Sequence, residues 1–119
     1  MALELSTSTT EVPRELGSYG GTTPGPLVIC IGGMHGNEPA GIFAAPRVLH
    51  HLHTTQPAFR GEFIAFSGNR AALARRCRYI DCDFNRIWTE ERLAATRKQP
   101  RQSWQTSEEA EQQELLAAI

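Results

Sequence analysis

The stretch from Ile29 to Gly41, ICIGGMHGNEPAG, sets an imidazole and a carboxylate three residues apart: His35 and Glu38 follow two glycines, and Pro39 comes directly after. Imidazole nitrogen and carboxylate oxygen are both good zinc ligands at about 2 Å, and a His-x-x-Glu turn can direct both at one cation. A lone match of this kind also arises often by chance and then reads as an ordinary surface pair. Its place among Gly32, Gly33 and Gly36, where the backbone can approach a ligand closely, brings the metal reading level with that alternative.

A second concentration of chemistry lies in RYIDCDFNR, where Arg78, Asn85 and Arg86 share nine residues with Asp81 and Asp83. A guanidinium pairs bidentately with a carboxylate, and a neighbouring amide can fix the orientation of the same group. The loop therefore suits a small substrate that carries a carboxylate. The competing reading is that the two aspartates satisfy the two arginines in a structural loop. A nucleic-acid role for Arg70, Arg75, Arg76 and Arg78 is disfavoured by the flanking acids and by the lack of an aromatic platform.

Positioning these groups falls to a small set of elements. PLVICIGG is a continuous apolar run, which predicts a central parallel strand buried on both faces. PAGIFAAPRVLHHL places Ile42, Ala45, Leu49 and Leu52 at helical spacing, with a kink or interruption expected at Pro46. GEFIAFSG predicts a second strand, giving a βαβ unit with a right-handed crossover. In open sheets of this kind ligands collect beyond the carboxyl ends of the strands, where the His35 turn falls. Pro39 suits a first helical position and disfavours helix at Glu38, so both ligands should project from a turn just before the helix.

The remaining segments frame this unit. Residues 1–25, rich in Ser, Thr, Gly and Pro, read as a loosely ordered start with at most one short edge strand near Glu11 to Leu16. NRAALARRCRYIDCDFNRIW predicts one helical turn from Ala71 to Arg75 and then an irregular polar loop. TEERLAAT is a short helix, and RKQPRQSWQ a basic linker broken by Pro100. Thr106 and Glu109 form a capping-box pattern that opens a last helix, with Leu115, Leu116 and Ile119 building its apolar face. Glu90, Glu91, Glu108, Glu109, Glu111 and Glu114 read as solvated faces of these helices.

Bulk properties narrow the class. A chain of 119 residues has the length of one small domain. With 12 Lys and Arg against 13 Asp and Glu, the net charge of -1 gives no global pull toward nucleic acid or a membrane. Cys30, Cys77 and Cys82 form no CxxC pair, so neither a disulfide framework nor a thiolate zinc site is indicated and a reducing, cytoplasmic setting is expected. No basic start leads into an apolar stretch, and no run approaches the roughly 20 residues that cross a bilayer, so a soluble protein is expected.

The ordered motifs GGMHGNEPAG, GNRAAL and RYIDCDFNRIW, over roughly residues 26 to 119, resemble the succinylglutamate desuccinylase and aspartoacylase family of zinc carboxypeptidase-like hydrolases. The resemblance implies an α/β fold, part of a zinc-carboxypeptidase-like architecture with a mostly parallel central sheet flanked by helices. Residues 26–119 would be the N-terminal part of the catalytic domain. It implies one zinc ion held by His35 and Glu38, a substrate carboxylate and scissile carbonyl held by Arg78, Asn85 and Arg86, and Asp83 bracing those arginines. The implied reaction is hydrolysis of the amide bond of an N-acyl amino acid or a similar small carboxylate, a carbon–nitrogen bond other than a peptide bond.

The family takes a third zinc ligand from a later strand and a base from a later glutamate. Neither has a counterpart in these residues, so no catalytic residue is assigned and the chain alone is expected to be inactive. His50 cannot substitute, since it lies 11 residues beyond Pro39, about 16 Å along the helix. His50, His51 and His53 read instead as a solvated helix end. The alternative reading is a catalytically silent module that binds a small ligand or a partner. An exposed apolar edge and face on the expected sheet would favour self-association.

Overall fold

The computed structural model describes residues 12–119, which form a mixed α/β arrangement. Three strands, β1 (Glu15–Gly20), β2 (Leu27–Gly32) and β3 (Glu62–Ser67), make one sheet in the order β1-β3-β2. β2 and β3 pair in parallel from Leu27 opposite Glu62 to Gly32 opposite Ser67, and β1 pairs antiparallel with β3. Helix α1 (Ala40–Thr55) is the crossover between the parallel strands. Helices α2 (Arg70–Arg75), α3 (Glu90–Arg97) and α4 (Ser107–Ala118) follow, with 3₁₀ turns at Phe84–Arg86 and Arg101–Ser103. The edge strand expected near Glu11 to Leu16 is β1, displaced toward Gly20; Glu11 lies outside the described residues.

β3 organises the core because its alternate side chains pack on opposite faces. Ala65 joins Ala45 and Leu49 of α1, with Leu16, Tyr19, Cys30 and Phe63 around them. Phe66 joins Phe84, Ile87 and Leu115, with Ile31, Met34 and Ile64 alongside. The sheet is thus covered by α1 on one side, and by α4 and the Phe84–Ile87 segment on the other.

Several expectations are corrected. β2 is not a central strand buried on both faces: among the described residues it is an edge, with Leu27 53% and Val28 48% exposed. β3 takes the centre because β1 occupies its second side. Pro46 does not interrupt α1, whose 16 residues run through it, although its missing N–H removes one intrahelical bond. In α4, Leu116 and Ile119 do not form a buried face. The buried positions are Glu108, Gln112 and Leu115, a stripe at i, i+4 and i+7 that is two-thirds polar. Among the described residues, no helix is long and apolar enough to cross a membrane.

Two glycine contacts fix where the chain turns after β2. Gly32 meets Gly41 backbone to backbone, so a β-carbon on Gly32 would lie 2.7 Å from the Gly41 carbonyl carbon. Gly36 is pressed against α2 and the segment after it: a β-carbon there would lie 2.1 Å from the Ala72 carbonyl carbon and 2.4 Å from the Cys77 oxygen. Backbone atoms cannot swing aside as a side chain can. Gly36→Ala is therefore expected to destabilise the fold by about 3 kcal/mol. Urea denaturation checks this through a lowered midpoint at unchanged slope, and an unchanged midpoint would mean that the turn does not dock there.

Candidate functional site

The site stands where the two parallel strands end side by side. Pairing continues past them, with the Gly68 amide donating to the Gly32 carbonyl at 2.7 Å and the Asn69 amide to the Gly33 carbonyl at 2.9 Å. One chain leaves as the His35 turn and enters α1, with Pro39 as N-cap; the other leaves as Asn69 and enters α2. The Gly36 amide then donates to the Arg78 carbonyl at 3.2 Å, which ties the His35 turn to the arginine loop.

His35, Glu38, Arg78 and Asp83 meet there. His35 Nε2 lies 2.9 Å from Asp83 Oδ1, and His35 Nδ1 lies 3.5 Å from Glu38 Oε2. Arg78 spans both carboxylates, with Nη1 3.2 Å from Glu38 Oε2 and Nη2 3.6 Å from Asp83 Oδ2. The His35 N–H and then the Asn85 backbone N–H hold the Asp83 carboxyl below the ordinary carboxylate range; partial burial opposes them and Arg78 adds to them. An ionised Asp83 can only accept, so Nε2 of His35 carries the proton and donates it. Asp83 thus braces the histidine more closely than the arginine it was expected to brace.

In a neutral, ligating imidazole with its proton on Nε2, Nδ1 would offer its lone pair beside the Glu38 carboxylate, two electron-pair donors side by side. Two ligands each about 2.1 Å from a tetrahedral zinc ion stand about 3.4 Å apart, so the observed 3.5 Å suits a shared cation. A carboxylate on the far nitrogen is also the usual partner of a metal-binding imidazole. His35 and Glu38 therefore fit zinc as two of its ligands. Among the described residues, no group of three His, Cys, Asp or Glu side chains is arranged to hold a metal ion. Cys82 is unsuited to join, since burial and then Glu108 push its thiol up.

The other expected residues stand nearby in sequence but engage differently. Asn85 donates its backbone N–H to Asp83 Oδ1 at 2.9 Å, starting the 3₁₀ turn at Phe84–Arg86. Arg86 is exposed, and its Nη1 donates to the Asn85 carbonyl at 3.4 Å rather than to the His35 cluster. Both side chains face solvent beside Asp83.

Sequence reasoning missed what holds this loop. Glu108, read as solvated, is 0% exposed. Its Oε2 accepts from Asn69 Nδ2 and from the Ile80 amide, both at 2.8 Å, and its Oε1 accepts from the Asp81 amide at 3.0 Å and the Cys82 amide at 3.2 Å. Asn69 Oδ1 meanwhile accepts from the Ala72 amide at 3.2 Å, capping α2. Glu111 is also engaged, accepting from the Ala71 amide at 3.0 Å and from Arg14. The available signal was the spacing of Glu108, Gln112 and Leu115 on one helical face.

Residues 24–117 match the family model described as the succinylglutamate desuccinylase/aspartoacylase catalytic domain. The chain is 38% identical over 71 residues to an N-acyl-aromatic-L-amino acid amidohydrolase (carboxylate-forming) of Xenopus tropicalis, a match covering 58% of this chain and 22% of that protein. It is likewise 38% identical over 69 residues to an aspartoacylase of Rattus norvegicus, covering 56% of this chain and 21% of the relative. The chain thus spans about a fifth of the length of these curated relatives. No solved structure matches it significantly.

Burial alone would raise the Glu108 pKa, but the Ile80, Asn69, Asp81 and Cys82 donors outweigh it and lower the pKa. A depressed folded-state pKa contributes stability above the unfolded value, and that stability is lost as pH falls through the folded one. The chain is expected to lose stability below about pH 4.3, and Glu108→Gln to be less stable at pH 7 with a shallower acid loss. Urea midpoints at a series of pH values check this, and parallel profiles for the two proteins would contradict it.

Proposed function

Because the chain belongs to the succinylglutamate desuccinylase/aspartoacylase catalytic-domain family, we propose that it carries zinc ligands and the carboxylate-binding loop of an amide hydrolase acting on an N-acyl amino acid or similar small carboxylate. Residues 26–119 belong, on this reading, to the catalytic domain of a zinc-carboxypeptidase-like fold, in a cytoplasmic setting. The observation that carries it is the braced pair, His35 Nδ1 and Glu38 Oε2 at 3.5 Å with Asp83 on the opposite ring nitrogen.

A zinc ion at that pair would supply Lewis acidity and an activated water. The chain's own residues do the rest. Asp83 keeps His35 in the tautomer that leaves Nδ1 free. Arg78, half exposed and already between two carboxylates, binds the substrate carboxylate, and the exposed Asn85 and Arg86 of the same loop complete the hold on the carboxylate and the scissile carbonyl. Each well-placed donor to a developing oxyanion contributes about 3 kcal/mol. With two ligands and no general base assigned, these 119 residues bind rather than turn over substrate on their own. The uncharged, half-exposed residues Leu27, Val28 and Ile29 on the edge strand support self-association as part of the same proposal.

Isothermal titration is expected to detect weak zinc binding that His35→Ala abolishes; equal affinity in that variant would remove His35 from the site. The same preparation is expected to release amino acid from N-acyl amino acids negligibly, and ordinary family-level turnover would refute that. In sedimentation velocity, self-association is expected to weaken in Val28→Lys, whereas a monodisperse monomer at all concentrations would dismiss the edge contact.

A further inference from the structure

We propose that Glu108 is a positioning residue for the metal and carboxylate site, acting through Asp83. The inference rests on the zinc reading above and adds to it a group that touches neither ligand. Three consecutive amides, Ile80, Asp81 and Cys82, converge on one carboxylate that is fully buried, and Asn69 supplies the fourth donor. Asp83 is the next residue after those amides, and Arg78 lies two residues before them. The carboxylate therefore clamps the span that joins the two residues reaching His35 and Glu38. Through Asn69 it ties the same span to the end of β3 and the start of α2.

The chemistry of the clamp is specific to a carboxylate. Four N–H donors need four acceptor lone pairs, which two carboxylate oxygens provide. A glutamine would turn an NH₂ toward amides that can only donate, so the loop must open even though the side chain keeps its shape. Glu111 supplies the control, since it also anchors α4, through the Ala71 amide and Arg14, but does not touch the Ile80–Cys82 amides.

The test is competition of the 119-residue chain against a chelating dye for zinc, counting only binding that His35→Ala removes, together with hydrogen exchange of the Ile80, Asp81 and Cys82 amides. Glu108→Gln is expected to weaken zinc binding about tenfold, the usual loss when a group bracing a metal ligand is disturbed. Glu111→Gln is expected to change it less than about twofold, and so is Glu108→Gln added to Asp83→Asn, because the two residues act in series. Exchange at the three amides should rise in Glu108→Gln and not in Glu111→Gln. Equal losses in the two glutamine variants, or full additivity with Asp83→Asn, would overturn the proposal and leave Glu108 a general support of α4. Should Glu108→Gln not fold, Asn69→Ser, which keeps a capping oxygen but removes one donor, is expected to give a smaller loss in the same direction; no loss would overturn the proposal. Absence of any His35-dependent binding in the unsubstituted chain would sink the zinc reading instead, and unchanged amide exchange in Glu108→Gln would then overturn the clamp separately.

Discussion

A single buried carboxylate holds together parts of this chain that are far apart in sequence. Taking an ionised group out of water is unfavourable by several kcal/mol unless its lone pairs find donors. Glu108 finds four, from Asn69, Ile80, Asp81 and Cys82. Those donors exist only if the segment after Cys77 folds back over α4 and if β3 ends where Asn69 can reach. The Glu108 position therefore dictates the path of an otherwise irregular loop, and that path delivers Arg78 and Asp83 to the tips of β2 and β3. Gln112 works the same way one turn on, donating to the Ile87 carbonyl at 2.9 Å and seating the Phe84–Ile87 segment against Phe66.

At those tips the charges do not balance by themselves. Glu38 and Asp83 are acids, Arg78 is the one cation that the described ion pairs give them, and His35 counts as neutral when it acts as a ligand. The cluster is then left one unit negative, which is unsuited to an anionic substrate. A bound dication would reverse the sign, so that a carboxylate arriving at Arg78 restores neutrality. On the proposed reading, metal and substrate binding are favourably coupled through Glu38, which faces both the cation position and the Arg78 guanidinium.

Much of this was legible in the residues, where the signal was local. Continuous apolarity marked β2 and β3, the glycines marked the turn, and the Thr106–Glu109 capping box marked the start of α4. The βαβ order then placed His35 and Glu38 at a strand end. What escaped depended on partners distant in the chain. Glu108 and Glu111 occur in the same charge-rich helical pattern as the exposed Glu90 and Glu91; the face that Glu108 shares with Gln112 and Leu115 is the one local sign of burial, and nothing local identifies its four donors. Asn69 was hidden for the same reason, because its capping role is local but its bond to Glu108 spans 39 residues. The role of Asp83 shifted from arginine to histidine because the two partners compete for neighbouring oxygens and only geometry ranks them.

β2 is where pattern and structure disagree most, and the disagreement carries its own physics. Six residues without a charge, a bulge or an internal proline lack the devices by which a sheet edge normally discourages pairing. Coverage rises toward the Cys30–Gly32 end, nearest the site, whereas Leu27, Val28 and Ile29 are exposed, as are Phe43 and Val48 of α1. Removing apolar surface of that kind from water favours association, against the translational, rotational and side-chain freedom that association costs. The strand thus has a firm end and a weak one. The firm end is held by β3, by the Gly32–Gly41 contact and by the bonds that continue past Gly32, so the His35 turn is fixed from the side that is complete. A partner strand along the edge that β2 forms among the described residues would pair with its backbone, whereas the links from Glu108 to Asp83 and His35 run through α4, the loop of residues 80–83 and the turn after β2.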